Sequence, residues 1–180
     1  GKDEARNAAV ERAIDYATNS GADVINVADS PMARMRMSPW AVCALIQDKL
    51  GIETTLHFPT RGRSLLRVQG DLLAAHALGV RNVFVVMGDP TSIGDYPDAM
   101  DDYDVVPSGL IKLIKKGFNE GVDHAGTDIG QPTAYFVGAW NGPLINYETA
   151  AVVGTFLDST TPDHAAVSPV GPRAATAHIL

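Results

Sequence analysis

Short apolar segments alternate with amphipathic helical segments along most of the chain. Four of the apolar segments predict β-strands, over 23–28, 52–58, 82–87 and 133–139. The first three begin about 30 residues apart, which is the length of one strand followed by one helix. Such strands pair in parallel and are covered by helices. The sequence therefore predicts an α/β fold built on a parallel sheet.

Capping residues and apolar residues at helical spacing predict the helices around these strands. A Ser-Pro pair and a capping serine are typical of helix starts, and glycine is typical of helix ends. These signals delimit helices over 5–16, 39–50, 65–78 and 107–120.

Two architectures contain this repeat, the doubly wound sheet and the (β/α)8 barrel. A complete barrel needs roughly 250 residues, whereas the chain has 180, so length alone favours the doubly wound sheet. No strand, however, is followed by a G-x-G-x-x-G or Walker A motif, the usual nucleotide-binding signals of doubly wound folds. Both architectures stay open on these grounds.

Residues 142–180 differ in composition from the rest of the chain. They contain no lysine, one arginine, and many Ala, Thr and Pro residues. They show no further clear βα unit, so we expect a largely irregular segment. The chain is thus predicted to divide into an α/β unit over 1–141 and a divergent C-terminal segment over 142–180.

Charge and composition exclude several classes of function. The net charge of −7 argues against nucleic acid or an anionic membrane as a partner. No apolar run reaches the roughly 18 residues of a membrane span. The single cysteine, Cys43, excludes an intramolecular disulfide and a Cys-based zinc site, and suits a cytoplasmic protein. The histidines have no metal-ligand spacing, so we predict no metal site.

Polar or aromatic residues follow each predicted strand. In both α/β architectures the site lies at the carboxyl ends of the strands. The residues found there are Asp29, His57, Gly88-Asp89 and Trp140-Asn141. The alternative interpretation is that loops begin there and loops are polar. His57 interrupts an apolar strand, although a lone histidine is more often a hydrogen-bonded core residue than a functional one.

Met87, Gly88 and Asp89 form the most informative of these strand ends. Glycine allows a sharp exit from the strand and a close approach of ligand to backbone. The aspartate after it would point into the mouth of a barrel. Gly-Asp-Pro is also ordinary turn chemistry, so composition does not choose between the two. Three arginines, Arg61, Arg63 and Arg67, follow the second strand and could bind a phosphate group. The default interpretation is that they form a solvated helix face.

Three ordered motifs carry a resemblance to a known family. They are LHFPTRGR, LLAAHALGVRNVFVVMGDP, and GDYPDA followed by SGLIKLI. From about residue 1 to 141 the chain resembles methylenetetrahydrofolate reductases. It is most similar to the reductase half of bacterial proteins that join a homocysteine S-methyltransferase to this reductase. The resemblance implies a (β/α)8 TIM barrel, of which this chain would supply about strands two to five.

The resemblance also implies the chemistry. The family binds FAD and passes a hydride from NADH or NADPH to 5,10-methylenetetrahydrofolate, which yields 5-methyltetrahydrofolate for methionine synthesis. A full-length member is expected to be a cytoplasmic homo-oligomer.

Particular residues take their expected roles from the family. Asp89 matches its catalytic aspartate, near flavin and pterin, and His57 matches a histidine that contacts the flavin. Met87 and Gly88 belong to the same cofactor-binding segment. Asp29 occupies a position where the family often has an aromatic residue, and Trp140 one where many members have an aromatic residue near FAD.

Two family residues have no match in the chain. They are the general-acid glutamate of the first barrel strand and the glutamine of the sixth strand that holds the pterin. We therefore expect a partial chain that is prone to association and weak as a reductase. The alternative hypothesis is a non-catalytic accessory subunit that binds flavin or folate.

Overall fold

A computed structural model describes the chain continuously over 23–139. It also describes three helical positions, Glu11, Asp15 and Asn19, and three short strands near the C-terminus. The strands are β1 (Val24–Val27), β2 (Glu53–Pro59), β3 (Asn82–Val86), β4 (Phe136–Ala139), β5 (Phe156–Leu157), β6 (Val167–Ser168) and β7 (Ala175–Ala177). The helices are α1 (Pro39–Leu50), α2 (Leu65–Ala77) and α3 (Pro107–Lys116). Most of the helix predicted over 5–16 lies outside the described residues.

The main sheet runs in the order β4-β3-β2-β1-β7, and every pair in it is parallel. The predicted α/β fold is therefore confirmed. The strands β1 to β4 are spatial neighbours in chain order, without the reversal of order that defines a doubly wound sheet. Of the two architectures that the sequence leaves open, the strands β1 to β4 match a stretch of barrel.

One face of the sheet packs against the helices and forms the core. Because side chains alternate along a strand, every second residue points to this face, among them Val27, Leu56, Val83 and Val137, which lie side by side in register. Val27, Leu56 and Val83 are almost fully buried, together with Leu72 and other apolar residues of the three helices. No helix in the described part of the chain is long and apolar enough to cross a membrane.

The other face carries more polar and aromatic residues. Asn26, Thr55 and Asn82 form one row across β1 to β3, and the next row holds His57, Phe84 and Gly138. This is the inner face in the geometry of a barrel. Its register places His57 near the carboxyl end of β2.

The fourth strand begins later than predicted. The sequence indicates a strand from residue 133, but β4 starts at Phe136. The reason is Asn119, whose side-chain oxygen accepts hydrogen bonds from the Thr133 hydroxyl at 2.8 Å and from the Tyr135 N–H at 2.9 Å. Its amide nitrogen donates to the Tyr135 carbonyl at 2.9 Å. A side chain thus satisfies backbone groups that a strand would otherwise pair.

Three short strands lie within the segment that the sequence predicts to be irregular. β5 and β6 form an antiparallel pair, and β7 lies parallel to β1, with Ala177 beside Val27. The rest of residues 140–180, including Trp140, lies outside the described residues. β7 therefore covers the outer edge of β1.

Because the thiol of Cys43 is buried, the free energy of unfolding should fall as the pH rises into the alkaline range. Burial raises its pKa from 9.0 to about 11, so the folded chain holds the neutral thiol where the unfolded chain has ionised. The contribution of the neutral thiol to the free energy of unfolding is therefore complete below about pH 9 and is lost as the pH rises towards about pH 11. Between about pH 8 and pH 10.5, urea unfolding should show wild type losing about 2 kcal/mol more than Cys43→Ala. Parallel pH profiles of the two proteins would contradict this.

Candidate functional site

The loops that leave β1, β2 and β3 meet at one end of the sheet. We call residues 29–38, which follow β1, rim loop A, and residues 88–106, which follow β3, rim loop B. Of the predicted site residues, the structure places Asp29, His57, Met87, Gly88 and Asp89 on or beside these elements. Trp140 lies outside the described residues.

Asp89 joins the two rim loops. Its carboxylate accepts a hydrogen bond of 2.7 Å from the backbone N–H of Met32 in rim loop A. Its carbonyl oxygen accepts a hydrogen bond from the guanidinium of Arg61, which follows β2. Groups that follow β1 and β2 therefore hold Asp89 in place, one through its carboxylate and one through its backbone.

Gly88 sets the direction in which the chain leaves β3. Its φ of +95° is in a region that residues with a side chain rarely adopt. A Cβ at this position would also lie 3.1 Å from the Cβ of Pro59 and 3.2 Å from the Cβ of Arg61. The glycine predicted from turn chemistry is thus required both by conformation and by the close approach of β2.

Met87 connects the exits of β2 and β3. Its carbonyl accepts the Arg61 N–H at 3.0 Å, and its sulfur lies 3.4 Å from the hydroxyl of Thr60. Its side chain is partly exposed. The two strand ends consequently leave the sheet as one unit.

His57 lies on the inner face, next to an aromatic ring. Its imidazole is 4.8 Å from the ring of Phe84, measured between centroids, at an angle of 40°. The side chain is half-buried. Phe136, on the same face of β4, is 75% exposed. Phe136 begins β4 beside Asn82, at the amino end of the sheet, so near the carboxyl ends this face offers the ring of His57 to a flat ligand.

Asp29 is held by Arg63, which follows β2. Its carboxylate accepts a hydrogen bond of 2.5 Å from Arg63 and one of 2.8 Å from Ser30. The same guanidinium contacts Asp71 of α2 at 2.6 Å and lies over the ring of Trp40 at 4.7 Å. Asp29 is thus part of an ion-pair network between the strand ends and α2, and its cofactor role stays a prediction.

The default interpretation of the three arginines as a solvated helix face is wrong for two of them. The side chains of Arg61 and Arg63 are only 14% and 17% exposed, because carboxylates and backbone carbonyls at the strand ends surround them. Arg67, on α2, is 63% exposed. Arg61 and Arg63 hold the rim in place.

An open cleft of about 340 Å³ lies beside the Arg63 network. It is lined by Asp29, Ser38, Pro39, Trp40, Arg63, Asp71 and Ala74. Neither Asp89 nor His57 contributes to it. Over the described ranges, no three His, Cys, Asp or Glu side chains are grouped to hold a metal ion.

Contacts between the rim loops involve residues that the sequence analysis did not single out. Asp95 accepts the Met35 N–H at 3.0 Å and donates its own N–H to the Ala33 carbonyl at 3.4 Å. These partners are about 60 residues apart in the chain. The only signal in the sequence is the position of Asp95 within the motif GDYPDA.

A comparison with family models gives one match. The model described as methylenetetrahydrofolate reductase matches residues 2–129, which is more than half of the chain. No curated protein and no solved structure matches.

Proposed function

Because the chain belongs to the methylenetetrahydrofolate reductase family, we propose that it reduces 5,10-methylenetetrahydrofolate to 5-methyltetrahydrofolate, with FAD as cofactor and NADH or NADPH as hydride donor. The family has a TIM-barrel fold, and the parallel strands β1 to β4 with their helices agree with part of such a barrel. Within the family, the motifs LHFPTRGR and GDYPDA support the further proposal that the chain resembles the reductase half of the bifunctional bacterial proteins.

The position of Asp89 is the observation that carries this proposal. It follows β3 at the end of the sheet where barrel enzymes bind their substrates. Hydrogen bonds from Met32 and Arg61 hold the residue in place. A carboxylate fixed in this way can stabilise positive charge as it develops on a folate substrate.

The inner face of the sheet fits a flat cofactor. The half-buried imidazole of His57, which packs against the ring of Phe84, offers a flat surface next to the carboxyl ends of the strands. Gly88 keeps the backbone free of a side chain where the chain leaves β3. FAD supplies the hydride chemistry when bound. In this proposal, His57 and the segment Met87–Asp89 hold and orient it.

Flavin binding tests the proposal directly. Purified chain should retain added FAD through gel filtration and should show a slow oxidation of NADH or NADPH that becomes faster when 5,10-methylenetetrahydrofolate is present. His57→Leu should weaken FAD binding about tenfold, the effect of losing one favourable contact of about 1.4 kcal/mol. His124→Leu is the matched control, because His124 is exposed on a loop after α3.

The outcomes separate the two hypotheses. A chain that binds no FAD contradicts the proposal. A chain that binds FAD but shows no folate-dependent oxidation supports the alternative, a non-catalytic accessory subunit that binds flavin or folate.

A further inference from the structure

We infer that Asp95 is a positioning residue for Asp89. It holds rim loop A in the conformation from which Met32 donates its N–H to the Asp89 carboxylate. The catalytic consequence of this inference rests on the proposed function, whereas the positioning itself does not.

Asp95 fixes rim loop A at two points directly after Met32. Its carboxylate accepts the Met35 N–H at 3.0 Å, and its own N–H donates to the Ala33 carbonyl at 3.4 Å. Met32 in turn donates to Asp89 at 2.7 Å. A single residue of rim loop B thus restrains the segment that carries the hydrogen-bond donor.

Rim loop A needs this restraint because its backbone is strained. Ser30, Met32 and Ala33 have φ values of 45°, 59° and 52°. Residues other than glycine adopt this left-handed region only when the surrounding structure imposes it. Without its anchors, the loop is expected to relax to negative φ, which turns the Met32 N–H away from Asp89.

Gly94 provides a second and independent contact at the same place. A Cβ built on Gly94 would overlap the backbone and the Cβ of Ala33. The φ of Gly94 is −101°, so the backbone conformation itself does not require glycine. The close packing of the two loops requires it. Replacing Gly94 should therefore push rim loop A away without removing any hydrogen-bonding side chain.

Amide hydrogen exchange on the ¹⁵N-labelled chain tests the positioning without any need for reductase activity. In Asp95→Ala and in Gly94→Ala, exchange of the Met32 amide should accelerate about tenfold or more. The amide of Leu56, in the centre of the sheet, should keep its protection. Asp95→Asn should preserve most of the wild-type protection of Met32, because an amide oxygen can still accept the Met35 N–H.

Matched controls come from the same region. Asp98→Ala removes an exposed carboxylate of rim loop B that makes no side-chain hydrogen bond to the described residues. Gly109→Ala adds a methyl group in α3, where the nearest atom would lie at 3.7 Å. Neither control should change exchange at Met32.

Kinetics then tests the consequence for Asp89. In Asp95→Ala, the kcat for folate reduction should fall about tenfold with the KM for the hydride donor unchanged, and Asp95→Asn should restore it. Unchanged Met32 exchange in both Asp95→Ala and Gly94→Ala overturns the inference. Accelerated exchange with an unchanged kcat supports the positioning and overturns its catalytic consequence. A wild-type chain that lacks reductase activity contradicts the proposed function, while accelerated exchange at Met32 would still support the positioning.

Discussion

Replacing Arg63 with methionine is expected to lower the free energy of unfolding by about 3 to 5 kcal/mol. Arg63 contacts Asp29 at 2.5 Å and Asp71 at 2.6 Å, and these carboxylates are only 10% and 15% exposed. Methionine has similar length but no charge, so two largely buried carboxylates lose their shared partner. Removing one partner of a buried ion pair is strongly destabilising because the other charge stays buried. Urea unfolding at neutral pH measures the loss.

Arg67→Met is the matched control. Arg67 contacts the same Asp71 at 2.6 Å but is 63% exposed, so its loss should cost less than about 1 kcal/mol. Adding Asp29→Asn to Arg63→Met should recover part of the lost free energy of unfolding, because it removes the negative charge that Arg63 no longer neutralises. Equal losses in the two single arginine variants would show that burial of the network contributes nothing.

Replacing Asp89 with asparagine is expected to lower the kcat for reduction of 5,10-methylenetetrahydrofolate roughly a hundredfold, the size typical of losing one electrostatic contact to a transition state. Asparagine keeps a side-chain oxygen that can accept the Met32 N–H, which Asp89 accepts at 2.7 Å. The substitution therefore removes the charge and retains the hydrogen bond. Folate-dependent NADH or NADPH oxidation measures the effect.

Asp98→Asn is the control for this variant, because it removes the same charge from an exposed position in rim loop B. It should leave kcat unchanged. FAD binding and urea unfolding of Asp89→Asn should stay close to wild type, since the rim geometry is preserved. Wild-type folate turnover in Asp89→Asn would exclude a role for its charge.

The strands and helices of the core follow from local sequence. The apolar run 82–87 is short and rich in valine, which is typical of a buried strand, and β3 forms within that run. Ser64 caps α2 as predicted, with its hydroxyl accepting the Arg67 N–H at 3.3 Å. Ser38 precedes α1 as predicted but makes no side-chain capping bond. Local signals thus locate helix starts even where the expected hydrogen bond does not form.

Contacts between distant segments account for what the sequence could not predict. The side chain of Asn119 displaces the start of β4, although the residues from Thr133 onward look like a strand. Arg63 is buried because Asp29, 34 residues earlier in the chain, lies beside it after folding. No periodicity or motif records such pairs.

In the candidate site too, the sequence predicts the positions of residues but not their contacts. Asp29, His57 and Asp89 lie at or near the carboxyl ends of β1, β2 and β3, as the strand pattern predicts, and their roles at a cofactor stay predictions. Their hydrogen-bond partners are not visible in the sequence. Asp89 is bonded to the backbone of Met32, 57 residues away, and a backbone donor leaves no residue-type signal at all.

The pairing of β7 with β1 has a consequence for the order of folding. Strands β1 to β4 can pair with one another as they emerge from the ribosome, since each lies beside the next in the chain. The outer edge of β1 is paired later, because Ala177 of β7, the partner of Val27, is separated from it by most of the chain. Contacts over such sequence separations form slowly. During synthesis, the hydrogen-bonding groups on this edge are therefore open to pairing with other nascent chains until β7 has been added.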